Sequence, residues 1–158
     1  MLPSKNKIIP LPRLLVLRRL WKRQAKTVVF TNGVFDILHT GHLGILERAR
    51  GLGDILIVGI NSDASARRLG KSKDRPINRL VDRTAILAGL SAVDAVIAFG
   101  EDTPEKLLSK LKPDVLVKGA DYRKGEIAGA AHAGRVARLA LKKGYSTTAL
   151  IRRLQGKS

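Results

Sequence analysis

Short apolar runs alternate with amphipathic stretches along this chain, and the alternation predicts its secondary structure. Residues 26–31 (K-T-V-V-F-T) are β-branched and apolar and predict a strand, which Gly33 ends in a turn. Leu43, Leu46 and Ala49 recur at helical spacing, so a helix is expected over 41–49, stopped by Gly51 and Gly53. Residues 54–60 (D-I-L-I-V-G-I) form a continuous apolar run, the pattern of a strand buried on both faces. Asn61, Ser62 and Asp63 offer caps for a short helix through Leu69. Residues 70–78 (G-K-S-K-D-R-P-I-N) read as a surface loop. A helix is expected over 81–90 and a third strand over 92–99. Thr103 is expected to cap a helix that has Pro104 at its first position and ends near Leu111. Strands follow over 115–117 and 135–141, and Ser146 or Thr147 opens a last helix toward Leu154.

Strands alternating with helices imply βαβ units. The expected fold is α/β: a single Rossmann-like domain with a five-stranded parallel sheet flanked by helices. In such sheets ligands sit beyond the carboxyl ends of the strands. That rule directs attention to the segments after Phe30, Ile60, Phe99, Val117 and Leu141. The 158 residues fit one domain with a real core, and 44% hydrophobic content supplies it.

Charge narrows the partners. The chain has 30 Lys and Arg against 13 Asp and Glu, a formal net charge of +17. Such a surface attracts anions. A nucleic-acid-binding module is one reading of it. The basic residues are spread along the whole chain, however, and only 4% of residues are aromatic, so stacking platforms are scarce. A small phosphorylated substrate accounts for part of the charge equally well. No stretch reaches the roughly 20 apolar residues of a membrane span. Pro10, Pro12, Arg13, Arg18 and Arg19 interrupt any signal-like apolar core near the N-terminus. The basic amphipathic stretch 14–22 is read as a helix packed on the domain edge, with no membrane partner; a membrane-surface helix is the alternative. Absence of cysteine excludes disulfides and suits a reducing, cytoplasmic setting.

Three blocks at strand ends carry candidate chemistry. Residues 31–42 (T-N-G-V-F-D-I-L-H-T-G-H) join the first strand to the first sheet-crossing helix. Gly33 permits close backbone approach, and a helix N-terminus offers unpaired N–H groups to phosphate. His39 and His42, three residues apart, can face one anion and stabilise charge that grows in a transition state. A His-x-x-His pair also suits a metal, but a firm zinc site needs a third protein ligand. The remaining histidine, His132, lies in an unrelated segment, so no protein metal site is expected. At the other end, Lys118-Gly119 and Ser146-Thr147-Thr148 supply a cation and hydroxyls suited to phosphate. A solvated lysine and simple N-capping are the alternatives for these. No Gly-x-Gly-x-x-Gly or Gly-x-x-x-x-Gly-Lys-Ser/Thr pattern is present, which argues against a dinucleotide dehydrogenase and a P-loop kinase.

These blocks resemble the cytidylyltransferase-like nucleotidyltransferases, through Gly33-Val34-Phe35-Asp36, His39-Thr40-Gly41-His42 and Ser146-Thr147-Thr148. Within them the chain resembles the D-glycero-β-D-manno-heptose 1-phosphate adenylyltransferase family. That likeness rests on Leu52-Gly53-Asp54, Asn61-Ser62-Asp63, Arg75-Pro76-Ile77-Asn78, Ala92-Val93-Asp94, Lys118-Gly119-Ala120-Asp121-Tyr122 and Gly144-Tyr145. The resemblance implies that ATP and heptose 1-phosphate give ADP-heptose and pyrophosphate, a precursor of lipopolysaccharide core or other surface glycans. It implies His39, His42 and Lys118 as catalytic residues. Thr31, Asn32, Gly33, Phe35, Gly119, Ser146, Thr147 and Thr148 join them around the nucleotide. Asp36, Asn61, Asp63 and Arg83 are expected at the acceptor. Mg²⁺ is expected to arrive with ATP, a separate sugar kinase to supply the acceptor, and the protein to be a homodimer. A cytidylyltransferase acting on glycerol 3-phosphate or phosphoethanolamine is the alternative within the class. On this reading residues 1–24 are a basic extension packed on a nucleotidyltransferase domain of residues 25–158. The segment between Gly129 and Arg135 is shorter than the family usually carries.

Overall fold

The computed structural model describes residues 4–70, 74–120, 127–140 and 146–156. Among the described residues there are six α-helices and five strands: α1 Leu11–Arg23, β1 Val28–Gly33, α2 Thr40–Arg50, β2 Ile55–Asn61, α3 Asp63–Leu69 and α4 Leu80–Gly89. They continue as β3 Ala95–Phe99, α5 Glu105–Leu111, β4 Val115–Gly119, β5 Arg135–Leu139 and α6 Thr147–Leu154. The strands form one sheet in the order β3-β2-β1-β4-β5, and every pairing is parallel. β1 therefore lies at the centre, and Val28, Val29 and Phe30 are wholly buried there.

Alternation along the strands sorts the core into two layers. Phe30, Ile57 and Leu116 face one side, where Leu14 of α1 and Leu107, Leu108 and Leu111 of α5 cover them. Val29, Leu56, Val58 and Val117 face the other, against Leu46 of α2 and Leu87 of α4. At Gly59 packing demands glycine: a Cβ there would lie 2.5 Å from Phe30 Cζ.

The bases of the strands share one device. Asp54 accepts a bond from the Thr27 amide at 2.8 Å, Asp94 from the Leu56 amide at 2.8 Å, and Asp114 from the Val28 amide at 2.7 Å. Each carboxylate satisfies a strand N–H that the ladder leaves open. This moves two expected strand starts. Asp54 and residues 92–94 lie outside β2 and β3, because each aspartate caps its neighbour before its own strand begins. Helix α5 also starts later than expected. Pro104 is its N-cap with φ −79° and ψ 7°, so Thr103 is not the cap. The last strand ends at Leu139, short of Ala140, and Leu141 of the expected extension lies outside the described residues. The short segment after Gly129 forms one 3₁₀ turn, Ala130–His132.

The N-terminal segment belongs to the same core. The Ile9 amide donates to Val96 O at 2.9 Å, and Ile8 bridges Val96 in parallel, which covers part of the β3 edge. Lys7 Nζ donates to Leu90 O at 3.1 Å. Among the described residues no helix is long and apolar enough to cross a membrane.

Candidate active site

The carboxyl end of β1 delivers the chain into the loop that holds both histidines. Phe35 adopts φ 48°, a left-handed conformation uncommon for a bulky residue. Its ring packs near Gly33, where a Cβ would lie 3.1 Å from Phe35 Cε2. The loop then turns into α2 with His39 as N-cap. His39 Nδ1 accepts a bond from the Gly41 amide at 3.1 Å. That bond fixes the tautomer: a neutral His39 carries its proton on Nε2, the nitrogen directed away from the helix backbone.

His42 lies one turn on. Its ring stacks on His39 with centroids 3.9 Å apart and planes at 22°, and Phe35 tilts against its other side at 5.3 Å. Burial first, and then the neighbouring His39, push the His42 pKa down to about 4. Burial also lowers His39. Both imidazoles are therefore neutral donors near pH 7. His42 Nδ1 is buried and meets no hydrogen-bond partner among the described residues. An unmet buried polar atom costs about 1–3 kcal/mol, a cost that functional sites carry.

A cleft of about 490 Å³ opens beside this pair. Leu38, His39 and Thr40 line one side, and Ser146, Leu150 and Arg153 the other. The two helix starts that the sequence places more than a hundred residues apart thus face each other. Ser146 is the N-cap of α6, its Oγ accepting from the Ala149 amide at 3.0 Å, and Thr147 and Thr148 form the first turn. Capping and anion binding coexist here, because the cap engages one amide only. Arg153 went unnoticed in the sequence. Its signal is spacing: seven positions beyond Ser146, two helical turns place it on the same face.

On the adjoining strands, Lys118 Nζ donates to Asn32 Oδ1 at 2.5 Å, and Thr31 Oγ1 donates to Val117 O at 3.2 Å. Burial pushes the Lys118 pKa down to about 8. Gly119 ends β4 in register with Leu139. Asp121, Tyr122, Gly144 and Tyr145 lie outside the described residues.

The four residues expected at the acceptor, Asp36, Asn61, Asp63 and Arg83, are bound to one another and to their neighbours. Arg83 is 1% exposed, and its guanidinium is committed to the interior. It donates to Asn78 O at 3.0 Å, Val34 O at 2.6 Å, Asn61 O at 3.0 Å and Asp63 Oδ1 at 2.6 Å. Asp36 is buried and accepts from Arg75 Nε at 3.1 Å and the Asn78 amide at 2.9 Å. Asn61 is buried and donates to Ser65 Oγ at 2.9 Å. These side chains tie the histidine loop, the end of β2, α3 and the segment before α4 into one frame. They brace the loop that carries the histidines, with four of the five Arg83 N–H donors engaged inside the protein.

Among the described residues no three His, Asp or Glu cluster in a way that could hold a metal ion. Comparison with known proteins agrees with the geometry. The family model described as Cytidylyltransferase-like matches residues 30–153. The bifunctional protein HldE of Helicobacter pylori is 54% identical over 149 residues, covering 94% of this chain and 31% of that protein. HldE of Pseudomonas paraeruginosa is 48% identical over 158 residues, covering 98% of this chain and 33% of that protein. The chain thus spans about a third of the length of the curated relatives it matches. Among solved structures, a lipopolysaccharide core biosynthesis protein from Thermoplasma volcanium superposes with a TM-score of 0.65 at 31% identity. That match covers 75% of this chain and 99% of the other. With a parallel sheet, a histidine capping α2 and a matching family model over most of its length, the chain belongs to the cytidylyltransferase-like family.

Proposed function

We propose that this chain is an adenylyltransferase that joins ATP to D-glycero-β-D-manno-heptose 1-phosphate, yielding ADP-heptose and pyrophosphate. The observation that carries the reading is the cleft between His39–Thr40 and Ser146. It sets two helix N-termini and the neutral His39 imidazole, with His42 stacked against it, beside one volume. Identity of 48–54% to the HldE proteins supports the heptose acceptor. Likeness to the Thermoplasma lipopolysaccharide core biosynthesis protein supports a place in lipopolysaccharide precursor synthesis.

The acceptor phosphate oxygen attacks the α-phosphorus in line. A new P–O bond forms, the bond to the β-phosphate bridging oxygen breaks, and pyrophosphate leaves. The attacking oxygen is already ionised near neutral pH, so no strong general base is required. Catalysis reduces to positioning and to donors aimed at developing charge. His39 and His42 supply those donors, and the amides around Gly33 and Phe35 lie against the nucleotide. Lys118 holds phosphate through a charge that burial has made easy to lose, and Ser146, Thr147 and Thr148 hold phosphate oxygens. Mg²⁺ arriving with ATP would supply charge neutralisation at the phosphates. A sugar kinase provides the acceptor, and the working form is a cytoplasmic homodimer.

The family description favours a second reading, cytidylyl transfer to glycerol 3-phosphate or phosphoethanolamine. Pyrophosphate release with Mg²⁺ and each pairing of ATP or CTP with the three acceptors decides between them. Release with ATP and heptose 1-phosphate alone is expected. Release with a CTP pair replaces the substrate assignment, and release with none removes the enzymatic reading.

A further inference from the structure

Helix α1 has two faces with different fates. Leu14 is wholly buried, and Leu11, Leu15, Leu17 and Trp21 pack against the core around it, so this face is sealed on the sheet. The opposite face carries Val16 at 55% exposure and Leu20 at 46%. These two stand one turn apart and form an apolar stripe. Arg13, Arg19, Lys22 and Arg23 border the stripe, all exposed, and none of their side chains forms an ion pair with a described residue. Arg18 alone in this helix is paired, with Asp114 at 2.9 Å. The helix contains no acidic residue, and the first one in the chain is Asp36. On the neighbouring α5, Lys110 and Lys112 add exposed cations.

An apolar stripe edged by arginine and lysine on a surface helix is the chemistry of an anionic lipid–water interface. Basic side chains are drawn to acidic headgroups, and the apolar pair enters the headgroup boundary. A nucleic-acid backbone would use the same cations but gains nothing from Val16 and Leu20. The exposed apolar pair therefore favours lipid. We infer that the outer face of α1 docks the folded domain on anionic membrane surfaces, lying on the bilayer without entering its core. The contact is electrostatic and reversible, because two apolar side chains are too few for permanent anchoring. It leaves the cleft uninvolved, and the inference does not depend on the substrate assignment.

The test is flotation of the full chain with vesicles that mix phosphatidylglycerol and phosphatidylcholine, against vesicles of phosphatidylcholine alone. Binding to the anionic vesicles only, weakened by added salt, is expected. The double variant Val16→Ser/Leu20→Ser, which keeps every charge, should bind about tenfold more weakly. Arg19→Glu/Arg23→Glu should abolish binding. All four positions are exposed, so thermal melts should match the parent, and pyrophosphate release in solution should be unchanged in both variants. Absence of flotation overturns the inference, as does flotation that the serine variant leaves undiminished. A gel shift of RNA that survives the serine substitutions and is lost with the glutamates, without flotation, replaces lipid with nucleic acid.

Discussion

His42 is held between the rings of His39 and Phe35, and its protonation is linked to folding. The unfolded imidazole binds a proton near 6.5, whereas the folded one does so near 4. Between those values the unfolded chain binds more protons, so stability rises with pH across that window. It is complete above about 6.5 and is lost as pH falls toward 4. Urea melts at stepped pH should show this loss, and His42→Gln should flatten the His42 share of it. Lys118 works in the opposite range. Burial lowers its pKa to about 8, so the ammonium that holds phosphate disappears above that value. The kcat/KM for ATP should fall on the alkaline side of pH 8, since that ratio reports the free enzyme. Lys118→Arg should move the fall beyond the measurable range, because a guanidinium stays charged. A limb that persists in the arginine variant would assign it to another group.

At the scale of elements, the frame that braces the histidine loop depends on one side chain. Arg83→Met keeps the stem of the residue but strips donors from Val34 O, Asn61 O and Asn78 O and removes the Asp63 ion pair. With each stranded buried group costing about 1–3 kcal/mol, a loss of about 3 kcal/mol or more is expected in denaturant titration. This arginine also marks where sequence reading stops. Periodicity located the strands and helices to within a few residues, because apolar runs and Gly or Pro breaks are local signals. The histidine pair and the Ser-Thr-Thr turn were legible for the same reason, lying beside recognisable strand ends. Arg83 and Asp36 were not, since an arginine on a helix looks the same in sequence whether its donors face solvent or the backbone of three other segments. Asp54 and Asp94 likewise read as parts of family motifs, while their work as strand-base caps, shared by Asp114, appears only with neighbouring strands in place. Arg153 lay in plain view but needed the facing helix to give its spacing a meaning.

For the whole molecule, the division into extension and domain has a direct test. Ile9 is 7% exposed and Leu14 wholly buried, and both belong to the main core cluster. Burial of each such side chain contributes about 1.5–3 kcal/mol. Deleting residues 1–24 should therefore lower the thermal midpoint by well over ten degrees, or leave no cooperative transition, because a domain of this size has little stability to spare. A truncated chain that melts like the parent would show the segment to be dispensable. The same unevenness of burial runs through the cleft. One wall rests on α2 beside the central strand β1, whose first three residues are fully buried; the other is α6, which buries none of its residues. In terms of amide hydrogen exchange, the two walls keep different time. β1 amides should exchange only when the whole protein opens, while α6 amides should exchange through local fraying. ATP with Mg²⁺ should then slow exchange across α6 and leave β1 unchanged, so that nucleotide affinity is set largely by what it costs to still one helix.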